Sequence, residues 1–507
     1  MFSTITSATI SGMNVILVQV EVDVSQGLPC LMMVGYLSSA VKEAGERVRV
    51  ALKNSGISIP PVRITVNLSP ADVRKEGTSF DLPIAVGMLQ SLGHVKEDAL
   101  SDTMIAGELS LDGKVNAIKG ILPLVRKAKE MGIRRCLVPE ENKAEGDVIE
   151  GIDVIGVISL QEALIYLRGE KIDRISEKKK VRHKKGKLLP DFSEISGQTA
   201  AKRAVEIAAA GFHNLLLVGP PGSGKTMIAK RIPGILPPLT REECLEVSTL
   251  YSISGLLNSE ETLITKRPFM SPHHTVTAKS LIGGGLIPKP GVISLAHKGV
   301  LFLDEMTEMS NSVLDMLRQP LEDKRVNIAR VGGNYTYPAD FMLVGAVNPC
   351  PCGYYPDMSR CRCNHAAIVK YQNSISGPIM DRIDLCAEVP QISMKELVNK
   401  VEGESSASIR SRVIAARNRQ KERYKGRGYD FNAGLTAKDI GRFCPMEERE
   451  RKLIEQAFER FKLSARGYYR ILRVARTIAD LDGSEKIEEI HLSEALGYRV
   501  EGNQYWE

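Results

Sequence analysis

Two hydrophobic periods alternate along this chain, and the switches between them mark its elements. Val15–Val24 alternates apolar and polar positions, the period of a half-buried strand. Ala40–Asn54 moves to helical spacing and stops at Ser55-Gly56. Arg63–Leu68 predicts a second strand, Asp81–Leu92 a buried helix, Ile118–Gly132 a helix with a glycine stop, and Arg135–Val138 a third strand. Thr199–Ala210 is an alanine-rich helix with Val205 and Ile207 suited to burial. Three short apolar runs follow at Leu215–Val218, Gly299–Leu303 and Phe341–Val347. They do not alternate, as expected of parallel strands covered on both faces. Arg325–Asp340 reads as a hairpin with its turn at Gly332-Gly333-Asn334. From about Ser393 the pattern is helical and basic. Ile409, Val413, Ala416 and Gln420 form one face, with Arg410, Arg417 and Lys421 off it. Leu463-Ser-Ala-Arg466 leads a strong final helix through Arg473 to Leu481.

These blocks predict an α/β protein of about three domains, the number its 507 residues suggest. Residues 1–170 form an α/β unit and 171–191 a basic linker. Residues 192–392 form a second α/β unit around a parallel sheet, and 393–507 a helical unit. Lys171–Lys187 holds nine Lys/Arg against two acids. Such a run is a solvated tether or a nucleic-acid contact. The net charge of +7 is too small for this length to announce a polyanion partner by itself. No basic segment followed by an apolar run opens the chain, and no apolar stretch could span a bilayer. Nine cysteines is an odd count, and four fall between Cys350 and Cys363. That favours a reducing cytoplasm and a local metal site over a disulfide framework.

The chemistry concentrates in residues 215–384. Behind the first buried run comes Gly219-Pro220-Pro221-Gly222-Ser223-Gly224-Lys225-Thr226, a full match to the phosphate-binding P-loop. Its glycines let backbone N–H groups close around an anion. A helix starting near Gly224 turns its positive end to the phosphates. Lys225 supplies a charge for the β- and γ-phosphates of ATP, and the Thr226 hydroxyl can hold Mg²⁺. The second run ends in Asp304-Glu305, a Walker B arrangement in which Asp304 completes the Mg²⁺ shell and Glu305 polarises the attacking water. Asn348 ends the third run, where an amide can touch the γ-phosphate or orient the water. Cys350, Cys352, Cys361 and Cys363 follow as two Cys-x-Cys pairs, a candidate tetrahedral Zn²⁺ site. His273-His274 lacks a second ligand cluster and is read as a loop or substrate contact. Arg382, in Met-Asp-Arg-Ile-Asp, is placed to reach a neighbouring subunit's nucleotide.

Two resemblances attach to these residues. Residues 1–170 resemble the proteolytic domain of Lon-type proteases, a ribosomal-S5-like α/β fold, through Glu76-Gly-Thr-Ser79 and Gly113–Leu122. Ser79 stands at the position of that family's nucleophile, but Leu122 stands where its lysine is expected, which implies a scaffold without protease activity. Lys119 lies one helical turn earlier, with no support from spacing. Nearly the whole chain resembles the Mg-chelatase-like AAA+ ATPases of the ComM/YifB type. The marks are Arg267-Pro-Phe-Met-Ser-Pro-His-His274, Gly283–Gly285, Ile293–Glu305, Val347–Gly353 with Cys361-Arg-Cys363, and Asp381–Leu385. Val34–Ser38 departs from the Gly-Leu-Pro-Asp turn expected there. The resemblance implies a hexameric ring with a helix-2 insert over Arg267–Gly285, a hairpin before the sensor strand, and a helical lid. It implies an arginine finger at Arg382 and a sensor-2 arginine at Arg466, Arg473 being the alternative. It also implies action on single-stranded or branched DNA, as in branch migration during recombination or natural transformation. A chelatase-like subunit and a protein-remodelling ATPase are the alternatives. Partner subunits would serve the first and a client-binding surface the second.

Overall fold

The computed structural model describes residues 1–170, 190–257, 261–285, 288–330, 333–391 and 403–499. The basic run over 171–189, Gly332 of the expected turn and the first ten residues of the expected helical unit lie outside them.

The N-terminal part is built on a seven-stranded mixed sheet. Its strands are β1 (Phe2–Ser11), β2 (Asn14–Ser25), β3 (Cys30–Val34), β4 (Arg63–Ser69), β5 (Thr103–Ile105), β6 (Arg135–Pro139) and β7 (Asp153–Val157), in the order β3-β4-β2-β1-β5-β6-β7. The β1–β2 hairpin pairs Phe2 with Asp23 through to Ser11 with Asn14. The alternation of β2 therefore sends Val18, Val20 and Val22 into a core with Ile64, Val66 and Leu68 of β4. Helices α1 (Ser39–Asn54) and α2 (Asp81–Ser91) cover that face. The expected helix from Ile118 instead starts at Ile121, as α3 (Ile121–Glu130). Gly120 is left-handed at φ 81°, and the Ile118 N–H and C=O are both taken by the Asn142 side chain.

The second sheet has five parallel strands in the order β9-β10-β13-β8-β14: β8 (Leu215–Val218), β9 (Phe269–Met270), β10 (Val300–Leu303), β13 (Met342–Val347) and β14 (Leu385–Glu388). All residues of β8, β10 and β13 are buried. This is why their sequences run apolar without alternation. Between β10 and β13 the chain makes the expected hairpin, β11 (Arg325–Arg330) against β12 (Gly333–Pro338). Helix α4 (Thr199–Gly211) lies on one face of the sheet and shares a core with the C-terminal helices. The P-loop helix α5 is short, Lys225–Ala229, and the chain restarts as Ile232–Ile235 around Pro233, which has no N–H to continue a helix.

One surface expectation is overturned. In the helix Ser406–Arg423, Arg417 is on the buried face with Ile409, Val413, Ala416 and Gln420, not off it. Its guanidinium donates to the Ala209 carbonyl from Nε at 3.0 Å and lies 4.2 Å from the Phe431 ring centroid. Gln420 donates to the next carbonyl, Ala210, at 3.1 Å. The last carbonyls of α4 have no partner within their own helix, and these two side chains satisfy them. Burial pushes the Arg417 pKa down to about 9. A helical wheel scores an arginine as polar and misses such a site.

Candidate active site

In an open parallel sheet, ligands bind beyond the carboxyl ends of the strands. Here those ends deliver Gly219 from β8, Asp304 from β10 and Asn348 from β13 to one edge. Gly219 starts the P-loop beside Val389, where a Cβ would lie 2.2 Å from the Val389 carbonyl oxygen, so no larger residue fits. Gly222 and Gly224 take left-handed conformations at φ 74° and 95°. The turn returns Lys225 into its own mouth. Lys225 Nζ donates to the carbonyls of Gly219 at 2.6 Å and Pro220 at 3.0 Å, and to Asn348 Oδ1 at 3.1 Å. All three partners are neutral oxygens, and burial pushes the Lys225 pKa down to about 8, against the pull of Asp304 and Glu305. An amine held at the mouth of this loop can receive a phosphate.

The Thr226 hydroxyl donates to Asp304 Oδ2 at 2.7 Å. These are two hard oxygen ligands side by side, and the pair fits Mg²⁺, which takes few protein oxygens and keeps the rest of its shell for water and phosphate. Glu305 follows in a left-handed conformation at φ 50°, its N–H on Asp304 Oδ1 at 3.1 Å. Its carboxylate is more than half exposed and lies 3.2 Å from His274 Nδ1.

Sequence reasoning did not find the groups that brace the loop. Gln198, itself left-handed at φ 56°, donates from Nε2 to the Ser223 carbonyl at 3.3 Å and the Pro390 carbonyl at 2.6 Å. Gly353 packs so closely on Pro221 that a Cβ there would meet Pro221 Cδ at 2.4 Å. The sequence signal for Gln198 was only a Ser-Gly-Gln before a helix. For Gly353 it was proximity to the cysteines.

Those cysteines come together. The sulfurs of Cys350, Cys352, Cys361 and Cys363 all lie within 4.8 Å of one another, with Cys350–Cys352 at 3.3 Å, Cys352–Cys361 at 3.6 Å and Cys350–Cys361 at 3.8 Å. Four thiolates around a tetrahedral Zn²⁺ at about 2.3 Å stand at similar separations, so the donor set fits zinc. Burial opposes ionisation of Cys352, yet the Tyr354 amide and the Cys350 thiol draw its pKa down to about 6.

The three candidate arginines sit together, in a cavity that no P-loop residue lines. Arg382, Arg466 and Arg473 line one cavity of about 380 Å³. Arg466 pairs with Asp381 at 2.9 Å, and Arg382 pairs with Glu322 rather than with the Asp381 or Asp384 beside it in sequence. Arg473 donates to the Ala433 carbonyl. In the N-terminal part, Ser79 lies in a second cavity, of about 330 Å³, with Thr78, Glu108, Lys119 and Tyr335. Leu122 is fully buried in the core and does not line it. Lys119 does reach the wall, but it is exposed, with its stem on Gly255.

The parallel sheet, P-loop, acidic strand end and the amide at the end of the third strand define a P-loop ATPase module of the AAA+ type. Residues 191–397 match the family described as magnesium chelatase, subunit ChlI, residues 20–142 match subunit ChlI of Mg-chelatase, and residues 403–499 match the ChlI C-terminal family. The chain is 42% identical over 493 residues to the protein YifB of Escherichia coli, covering 96% of this chain and 95% of that one. It is 41% identical over 495 residues to the competence protein ComM of Haemophilus influenzae, covering 96% of each. Lon protease 2 of Bacillus subtilis is 30% identical over 127 residues, 25% of this chain and 22% of that one. The chain belongs to the ComM/YifB-type Mg-chelatase-like family, with a Lon-like N-terminal region. Among the described residues no helix is long and apolar enough to cross a membrane.

Proposed function

We propose that this ATPase is a ring motor acting on single-stranded or branched DNA, with residues 192–392 as its AAA+ core, 393–507 as its lid and 1–170 as a proteolytically inactive scaffold. The observation that carries the DNA reading is a group of exposed cations on the insert and the hairpin. The insert helix Ala278–Ile282, the strand pair Gly283–Gly284 and Lys289–Pro290, and the hairpin β11–β12 hold four exposed cations, Lys279, Lys289, Arg325 and Arg330, and no Asp or Glu. Asn327 and Thr336 add polar groups on the same strands. Lysine and arginine beside amides and hydroxyls suit a phosphate backbone. The competence relative supports the same substrate class.

In this reading Gly219–Thr226 cradles ATP, Lys225 neutralises the β- and γ-phosphates, and Thr226 with Asp304 holds Mg²⁺. Glu305 takes the proton of the attacking water, and Asn348 orients the water or the γ-phosphate. Arg382 and Arg466 share a cavity that no P-loop residue lines, which supports delivery of both to the nucleotide of an adjacent subunit. A hexamer closes that head-to-tail arrangement. The zinc-bound cysteines brace the loop between Asn348 and the P-loop. The test is ATP turnover with and without DNA. Turnover indifferent to DNA would favour a chelatase-like or protein-remodelling subunit.

A further inference from the structure

The loop that carries Arg382 is held by a residue outside the ATPase motifs. Asn214 directly precedes β8, at the opposite end of that strand from the P-loop. Every polar group of this residue is used. Its side-chain Nδ2 donates to the Arg382 carbonyl at 2.8 Å, and its Oδ1 accepts from the Leu343 N–H of β13 at 2.9 Å. Its backbone carbonyl accepts from the N–H groups of Asp384 at 2.9 Å and Leu385 at 3.1 Å. Its own N–H donates to Asp384 Oδ2 at 3.1 Å. The amide meets a carbonyl at one end and an N–H at the other, and that sets which way round it points.

Asn214 thus ties together the starts of three neighbouring strands, since Leu215 of β8 pairs with Val344 of β13 and with Leu385 of β14. At their far ends β8 leads into Gly219 and β13 into Asn348. The strand that delivers the P-loop therefore begins on the loop that carries Arg382, about 17 Å away for five extended residues.

The residue before Arg382 is held from another side. Arg470, buried on the helix Ala465–Asp482, donates from Nη2 to the Asp381 carbonyl at 2.9 Å. Two successive carbonyls, Asp381 and Arg382, are gripped by the C-terminal helices and by the sheet. None of these backbone contacts uses the Arg382 guanidinium. It stands on the Pro378 carbonyl and on Glu322, which is itself more than half exposed, in the cavity that Asn214 also lines. We infer that Asn214 is a positioning residue for Arg382: its side-chain amide fixes the Arg382 backbone so that the guanidinium can meet the nucleotide of the adjacent subunit. The inference rests on the role proposed above for Arg382. Asn214 acts through that arginine and not through the P-loop of its own chain, although it adjoins the strand that carries the loop.

The test uses the full chain and measures kcat, ATP affinity and melting temperature for wild type, Arg382→Ala, Asn214→Asp and Asn214→Ala, alone and in mixtures. Asn214→Asp keeps the shape and the acceptor for Leu343 but sets an acceptor against the Arg382 carbonyl. It should bind ATP as wild type does and turn it over about a hundredfold more slowly, the scale of a misplacement of about 1 Å. Asn214→Ala removes the same donor without adding charge. It should show the same pattern, and it keeps the test decisive if the aspartate disturbs folding.

Mixing either Asn214 variant with Lys225→Ala should restore activity above the sum of the two alone, because one supplies the P-loop and the other a well-placed Arg382. Mixing it with Arg382→Ala should restore none, because neither supplies the arginine. The reverse pattern, rescue by Arg382→Ala and none by Lys225→Ala, places the defect in the variant's own P-loop and overturns the inference. No rescue by either partner, at an unchanged melting temperature, overturns it as well. If Arg382→Ala hydrolyses ATP at the wild-type rate, Arg382 does not serve the neighbouring site and both readings fall. If Arg382→Ala is slow and both Asn214 variants run at the wild-type rate, only the positioning role falls.

Discussion

Lys225 and Asn348, 123 residues apart in the chain, meet at 3.1 Å between Nζ and Oδ1. The contact joins the P-loop to the end of the third buried strand. It holds the P-loop amine and the strand-end amide together, beside the Thr226–Asp304 pair. Whatever sits on the lysine is therefore felt by the amide.

The core should fail in two separable ways. Lys225→Ala should lose ATP affinity and activity together, because the phosphates lose a buried cation held by neutral oxygens. Glu305→Gln should bind ATP normally and stop turning it over, because an amide cannot take the proton of water. Equilibrium binding of a fluorescent ATP analogue, beside steady-state turnover, distinguishes the two. Equal loss of binding in both variants would contradict the division of roles.

Untagged protein should carry close to one zinc per chain at Cys350, Cys352, Cys361 and Cys363. Chelation should weaken ATP binding as well, since the Gly353 backbone leans on Pro221 of the P-loop. Elemental analysis checks the first statement, and ATP titration before and after chelator the second. Less than about half an equivalent of zinc would argue against the site.

The P-loop, the acidic strand end and the cysteine set were legible in the sequence because each is local. A few adjacent residue types suffice for the chemistry. The buried parallel strands were legible for the same reason, as apolar runs without alternation. What escaped was non-local. Arg417 looks like a surface charge until the carbonyls of Ala209 and Ala210 are seen to need donors. His274 looks like a loop histidine until strand order sets it against Glu305. The true start of α3 depends on an Asn142 side chain from another element. Neither spacing nor periodicity encodes such contacts.

Serine-directed probes should not label Ser79. Leu122, at the place of the Lon-type lysine, is buried in the core. Lys119 shares the Ser79 cavity but is exposed. Intact-mass analysis after exposure to a fluorophosphonate checks this. Stoichiometric labelling at Ser79 would revive a hydrolytic role for the N-terminal region.

Arg382→Ala should bind ATP yet hydrolyse it on the order of a thousandfold more slowly, the usual worth of an arginine finger. Mixing it with Lys225→Ala should restore part of the activity, because a mixed interface can pair an intact P-loop with an intact Arg382. Turnover of the mixture across ratios is the measurement. An Arg382→Ala rate equal to wild type, or an active species that sediments as a monomer, would contradict assembly-dependent hydrolysis.

The central claim is that hydrolysis is coupled to DNA held on the basic insert and hairpin. Its most direct test is ATP turnover by the full chain, titrated with single-stranded and branched DNA at several salt concentrations. The account predicts that DNA raises turnover, that the DNA concentration needed climbs steeply with salt, and that Arg330→Ala with Lys289→Ala raises it further while DNA-free turnover persists. Turnover that ignores DNA at every salt concentration would contradict it.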